Sequence, residues 1–165
     1  AFAAPGGFIL LTRGLYQLLS SDSELAAALG HEISHCVQRD HYDVIHKQEM
    51  ASSGKELAMS KVELGNSSPA AAYARRYVET HGATIMMSAL DREAEYRSDE
   101  AAEFYLARAG MNPLTLYAVL QKLTALGSDS ARLAQLYKTH PPLDARLDRI
   151  DQRGYGALEA FTARE

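Results

Sequence analysis

Two imidazoles four residues apart, with a carboxylate beside the first, make up His31-Glu32-Ile33-Ser34-His35. This H-E-x-x-H pattern couples a metal site to a general base when it lies on a helix. At 3.6 residues per turn, His31 and His35 fall about 40° apart on one face, so both rings can reach one cation. Glu32 occupies the next face, where it can approach a water at an open coordination position without filling that position. The chemistry implied is hydrolysis assisted by zinc.

A catalytic zinc needs a third protein ligand, and the stretch Asp91-Arg92-Glu93-Ala94-Glu95-Tyr96-Arg97-Ser98-Asp99-Glu100 offers one. Glu95 and Asp99 share a helix face, so Glu95 can bind the metal while Asp99, one turn on, accepts the N–H of a ligating imidazole. Glu93 competes with Glu95 but lies about 200° around the helix, so the two cannot both point inward. Two His and one Glu leave the fourth position free, the arrangement of a catalytic site rather than a closed structural one.

The elements that must hold these groups are readable nearby. Asp22 is the expected N-cap and Glu24 a favourable first-turn charge for a helix running from Asp22 to about Ala51. Gly30 weakens that helix, either to avoid crowding a neighbouring strand or substrate or as a local irregularity. Ala1 to Ala4 and Phe8 to Thr12 flank Pro5-Gly6-Gly7 and read as a hairpin, whose exposed edge could add an extended peptide. The other expected helices run over Leu15 to Leu19, Pro69 to Leu90, Asp91 to Ala109, Pro113 to Leu126, Ser130 to Lys138 and Leu143 to Gln152. Tyr42 to Ala89 carries Met50, Met59, Met86 and Met87; helical packing is favoured for these, with a lid over the cleft as a hypothesis.

Four segments, AFAAPGGFILLTRGLYQLL, DSELAAALGHEISHCVQRDH, SALDREAEYRSDEAAEFYLARAGMNP and THPPLDARLDRI, together resemble metallopeptidase family forty-eight in content and order. That family includes CAAX prenyl proteases, HtpX-like proteases and periplasmic outer-membrane-assembly proteases. The resemblance implies an α+β, mostly α, zincin-like (gluzincin) catalytic domain with its small sheet beside the H-E-x-x-H helix. It places the metal-binding histidines on His31 and His35, the base on Glu32, the third ligand on Glu95 and the supporting acid on Asp99. His140 and Arg146 match the family's His-Pro and the Arg six residues after the His. His140, on the stiff His140-Pro141-Pro142 run, is expected either to donate to the oxyanion of the tetrahedral intermediate or to plug the zinc site. Arg146 is expected to orient it, or to bind Asp99 or the substrate. A surface loop is the competing reading of His140. Where the family usually carries His, this chain has Asp40, a departure read as peripheral; His41, His46 and His81 read as surface or packing residues.

With 47% hydrophobic and 23% charged residues, the chain has ordinary globular composition, and residues 1–165 read as one metallopeptidase domain. A net charge of -4 without a basic cluster argues against nucleic acid as a partner. The single cysteine, Cys36, excludes an intrachain disulfide and is expected to be packed. No stretch approaches the ~20 apolar residues of a membrane span, and no signal peptide is apparent. By resemblance the chain is expected to be truncated at its N-terminus and to work in the periplasm or at a membrane of the cell envelope. The expected partners are protein or peptide substrates held extended along an edge strand, including unfolded or misassembled envelope proteins, with membrane or outer-membrane assembly factors besides. The alternative is a zinc-dependent interaction or chaperone module with a plugged, silent site.

Overall fold

The computed structural model describes residues 1–4, 6–44, 46, 76, 79–80, 90–127, 136, 139–140 and 143–153. Within them, β1 (Phe2–Ala4) and β2 (Phe8–Leu10) pair antiparallel, Ala3 opposite Ile9. The helices are α1 (Arg13–Leu18), α2 (Asp22–Gln38), α3 (Arg92–Arg108), α4 (Thr115–Ala125) and α5 (Leu143–Arg153). The chain is mostly helical with a small sheet, as its patterning predicts. None of the described helices is long and apolar enough to cross a membrane. The methionine-bearing stretch, His81, and most of the helices expected over 69–90 and 130–138 lie outside the described residues.

Helix α2 begins at Asp22 as expected, but its cap is Ser21 rather than Asp22, the Ser21 Oγ accepting from the Glu24 N–H at 3.2 Å. The Glu24 carboxylate reaches back to the Ser20 N–H at 2.7 Å, and Lys122 of α4 meets it at 2.6 Å. The start of α2 is thus tied to α4. The far end departs from expectation in being interrupted: α2 stops at Gln38, residues 40–44 and 46 are helical again after Arg39, and the rest of the stretch to Ala51 lies outside the described residues. Arg39 takes a left-handed conformation (φ 61°, ψ 27°), and its N–H closes on Cys36 and His35 carbonyls. Beyond this turn Asp40 and His41 are buried, with Asp40 Oδ2 2.8 Å from His35 Nδ1 and the His41 ring centroid 5.9 Å from that of His35.

The core lies where α2, α3, α4 and α5 meet, built from Ala27, Ala102, Leu106, Leu116, Val119, Leu120, Leu123, Leu143 and Ile150. Small residues bring α2 and α3 together: Gly30 faces Ala102, and a Cβ placed on Gly30 would stand 3.5 Å from the Ala102 Cβ. That is ordinary van der Waals contact with a helix, so the expected crowding of a strand or substrate does not occur. Gly30→Ala should therefore raise stability by roughly 0.5–1 kcal/mol through helix propensity. A chemical-denaturation midpoint no higher than that of the wild type would refute this.

Along α3 the buried face is Glu95, Ser98, Asp99, Ala102, Glu103 and Leu106, with spacings of three and four. The stripe is polar toward the N-terminus and apolar toward the core, so one helix supplies both site groups and packing. Asp91 caps it by accepting the Ala94 N–H at 2.7 Å.

Glu103 is the uncompensated member of that stripe. It is 5% exposed, its Oε1 has no hydrogen-bond partner, and Arg153 Nη1 stands 3.8 Å from Oε2. Burial pushes its carboxyl up to about 7, over the opposing pull of Arg153 and with help from Asp99 and Glu100. A raised carboxyl pKa means that the fold prefers the protonated acid, so stability is greatest below the ordinary value and is lost as pH rises toward 7. Glu103→Gln should match the wild type near pH 4 and exceed it by roughly 2–3 kcal/mol at pH 8. Denaturation curves at the two pH values check this, and a gain independent of pH would contradict it.

Candidate metal centre

Helical spacing alone puts His31 and His35 side by side, and the structure closes the gap between their metal-facing atoms to 3.0 Å from Nε2 to Nε2. Glu95, brought across by α3, places Oε2 at 3.4 Å from His31 Nε2 and Oε1 at 3.5 Å from His35 Nε2. Tetrahedral ligands about 2.0–2.1 Å from zinc stand about 3.3 Å apart, so these spacings suit one zinc ion. His140 joins the cluster, with all four donor atoms within 4.8 Å of one another. Its Nδ1 donates to Glu95 Oε1 at 2.9 Å, while its Nε2 has no hydrogen-bond partner. Glu93 is exposed on the opposite face of α3.

Each imidazole of the pair is oriented from behind. His31 Nδ1 donates to Asp99 Oδ1 at 2.9 Å, leaving Nε2 to face the cluster. His35 Nδ1 lies 2.8 Å from Asp40 Oδ2 and 3.0 Å from Ser98 Oγ. Asp40 is therefore not peripheral: it stands to His35 as Asp99 stands to His31. Arg97 holds it with an Nη2–Oδ1 contact of 3.2 Å and also donates to Gln38 at 2.7 Å. Only the left-handed turn at Arg39 puts Asp40 there, and an i to i+5 spacing gives no helical signal of it.

Arg146 underlies the other side. Its Nε and Nη2 grip both oxygens of Asp99 at 2.8 and 2.6 Å, and its Nη1 is 3.0 Å from Glu95 Oε2. Of the roles expected for it, binding Asp99 is the one the geometry contains. The loop reading of His140 is overturned by burial: the residue is 1% exposed, and the Thr139 carbonyl beside it accepts from the Leu90 N–H at 3.3 Å.

The charges are interlocked. Burial and Arg146 push the His31 imidazole down, but hydrogen bonds to Asp99 and Glu95 outweigh them and carry it up to about 9. Burial and the His31 charge push His35 down. Burial would raise the Glu95 and Asp99 carboxyls, yet His140 and Arg146 around Glu95, and Arg146 above all at Asp99, hold both below their ordinary values. Glu32 stands outside the donor cluster, 3% exposed, with Oε1 at 3.6 Å from His140 Nε2 and Oε2 without a partner. Burial works against its ionisation, but His140, His31 and His35 outweigh it and keep the carboxyl below its ordinary value. A carboxylate held below its ordinary value, with one oxygen free of hydrogen bonds, beside a cluster of metal donors is equipped to take a proton.

The sequence matches Peptidase family M48 over residues 1–154. The chain belongs to this family. Among M48 relatives, it is 28% identical over 148 residues to the Beta-barrel assembly-enhancing protease of Escherichia coli (strain K12), covering 89% of this chain and 30% of that protein. The protease of the same name in Yersinia pestis is 30% identical over 154 residues, 93% of this chain and 32% of the relative. The Mitochondrial metalloendopeptidase OMA1 of Arabidopsis thaliana is 30% identical over 141 residues, covering 86% and 26%. The M48 chain thus spans between about a quarter and a third of the length of these proteins, whose names support a metalloprotease class of hydrolase. No solved structure matches it.

Sequence reasoning gave no site role to two residues that are buried beside His35. One is Asp40; the other is His41, 3% exposed, its ring centroid 5.9 Å from that of His35. Of the two readings given to it, packing and surface, burial excludes the second. Burial first, then His35 and His140, push its imidazole down to about 4, so the ring is neutral near pH 7. His46 is exposed, and its ring stacks on Tyr42 at 5.8 Å.

Proposed function

We propose that this chain is a zincin-like zinc metalloendopeptidase domain that hydrolyses internal peptide bonds of unfolded or misassembled proteins of the cell envelope. The observation that carries this reading is the spacing of His31, His35 and Glu95 at 3.0–3.5 Å with Glu32 beside them, its Oε2 without a hydrogen-bond partner and its Oε1 3.6 Å from His140 Nε2. His31, His35 and Glu95 would hold one zinc. When bound, the metal supplies Lewis acidity that polarises the scissile carbonyl and acidifies a water. Glu32 takes a proton from the attacking water and returns it to the leaving amine. Asp99 and Asp40 fix the imidazoles in the tautomer that leaves Nε2 free. Arg146 neutralises Asp99 and Glu95 from the buried side.

The envelope setting is extended from the relatives named beta-barrel assembly-enhancing protease, the unfolded substrates are this reading's own step, and a peptide extended along the sheet edge suits a hydrolase that reads main chain more than side chain. The test is cleavage of unfolded casein by the zinc-loaded chain. One zinc per chain and hydrolysis that stops with a chelator and returns with added zinc are expected; stoichiometric zinc without hydrolysis would reject the endopeptidase.

A second reading has an observation of its own, because His140 lies within the donor cluster and the five central residues are all buried. As a fourth ligand His140 would close the site and hold the domain silent, as an interaction or chaperone module. His140→Ala separates the two: a plug released by the substitution gives faster casein cleavage, whereas loss of an oxyanion donor gives slower cleavage.

A further inference from the structure

An arginine stands behind each imidazole of the H-E-x-x-H pair, and the two differ in exposure. Arg146, behind His31, is buried and meets both oxygens of Asp99. Arg97, behind His35, meets Asp40 through a single contact of 3.2 Å, and 52% of its side chain is open to solvent. Asp40 is itself buried, so a surface guanidinium holds an interior carboxylate.

Helix α3 reaches His35 from three positions. Glu95 Oε1 stands 3.5 Å from Nε2, Ser98 Oγ stands 3.0 Å from Nδ1, and Arg97 engages the acid that shares Nδ1 with Ser98. That acid follows the break in α2, where Arg39 is the one non-glycine residue with positive φ among the described residues. Such a conformation is uncommon and persists where its surroundings impose it. Arg97 is such a surrounding. Its Nε donates to Gln38 Oε1 at 2.7 Å and its Nη2 to Asp40 Oδ1, so one guanidinium binds the residue before the left-handed turn and the residue after it. The turn is thereby clamped with Asp40 Oδ2 at 2.8 Å from His35 Nδ1.

Resting on the reading of His31, His35 and Glu95 as zinc ligands, we propose that Arg97 is a positioning residue of the centre, which clamps the turn at Arg39 so that Asp40 meets His35 and thereby sets how tightly zinc is held. An acid on the far nitrogen of a ligating imidazole fixes its tautomer and orientation. The half-exposed charge of Arg97 is screened by solvent and acts on a cation only weakly, so its contribution is the placement of Asp40.

Zinc dissociation constants, from competition with a chromophoric chelator, test this in the wild type, Arg97→Met, Asp40→Asn and the double variant. Circular dichroism of the zinc-free chains shows whether all fold alike. Asp40→Asn should weaken zinc by about 10–100-fold and Arg97→Met by about tenfold. Because Arg97 works through Asp40, adding Arg97→Met to Asp40→Asn should cost less than about threefold more. Arg97→Lys, which keeps a charged donor for Asp40, should recover most of the loss. An Arg97→Met constant within about threefold of wild type, or a double variant more than about threefold weaker than Asp40→Asn, overturns the clamp. Should Asp40→Asn fail to fold, Arg97→Lys decides, and no recovery overturns it. A wild-type chain without stoichiometric zinc overturns both the clamp and the zinc reading. Zinc held in the expected order of affinities without casein hydrolysis rejects the endopeptidase alone.

Discussion

Glu32→Gln should lower casein cleavage by about 10²–10⁴-fold while zinc content stays at the wild-type level, since general-base catalysis contributes on that scale. Retention of zinc follows from position. The donor cluster comprises His31, His35, Glu95 and His140, and Glu32 is not in it. Glutamine keeps the size of the side chain and removes the lone pair and charge that accept the proton, so the fold should hold while the reaction slows. The substitution also removes the charge that His140 Nε2 faces at 3.6 Å, a contact too long to anchor either group. Metal analysis beside the progress curve is decisive. Cleavage within about tenfold of wild type would remove Glu32 from the mechanism, and parallel loss of zinc would make it a ligand.

Arg146→Met should destabilise the fold by roughly 3–5 kcal/mol, the usual effect of removing one partner from a buried ion pair. Arg146 is 3% exposed and is gripped by both oxygens of Asp99 as well as by Glu95. Methionine fills the space without the charge, leaving two buried carboxylates facing each other near His31. For a domain of this size the loss corresponds to a melting temperature lower by about 10 °C at constant zinc. The pH dependence has a defined sign. Asp99 sits below its ordinary value in the wild type, so its stabilisation is present above the carboxylate range and is lost as pH falls through the native pKa. The deficit of Arg146→Met should accordingly shrink on acidification, as the stranded carboxylates take up protons. A melting temperature within about 3 °C of wild type at pH 7 would show that the pair is solvated or dispensable.

Much of this arrangement was legible because it is local. The helical placement of His31, Glu32 and His35 follows from a four-residue spacing, and so does the pairing of Glu95 with Asp99 on one face of α3. The helix from about Asp91 and the short strands around Gly6 and Gly7 are written in residue types with strong backbone preferences. Family membership was legible too, because four segments carry it in order.

Other features were decided only when distant segments met. Asp40 reaches His35 because a non-glycine residue, Arg39, adopts a left-handed turn that α2's periodicity does not announce. His41 lost its surface reading to burial against the candidate centre. His140 lies 45 residues from Glu95, and Arg146 lies 47 from Asp99 and 115 from His31. The sequence by itself therefore determined the helix-borne chemical groups, the element types and the family. The tertiary structure alone decided which carboxylate serves which imidazole, that the centre is buried, and that one oxygen of Glu103 and both ring nitrogens of His41 lack hydrogen-bond partners. Spacing along one helix is set by backbone geometry, whereas burial and ion pairing between helices depend on how the whole core packs, a sum of contacts that no local window contains.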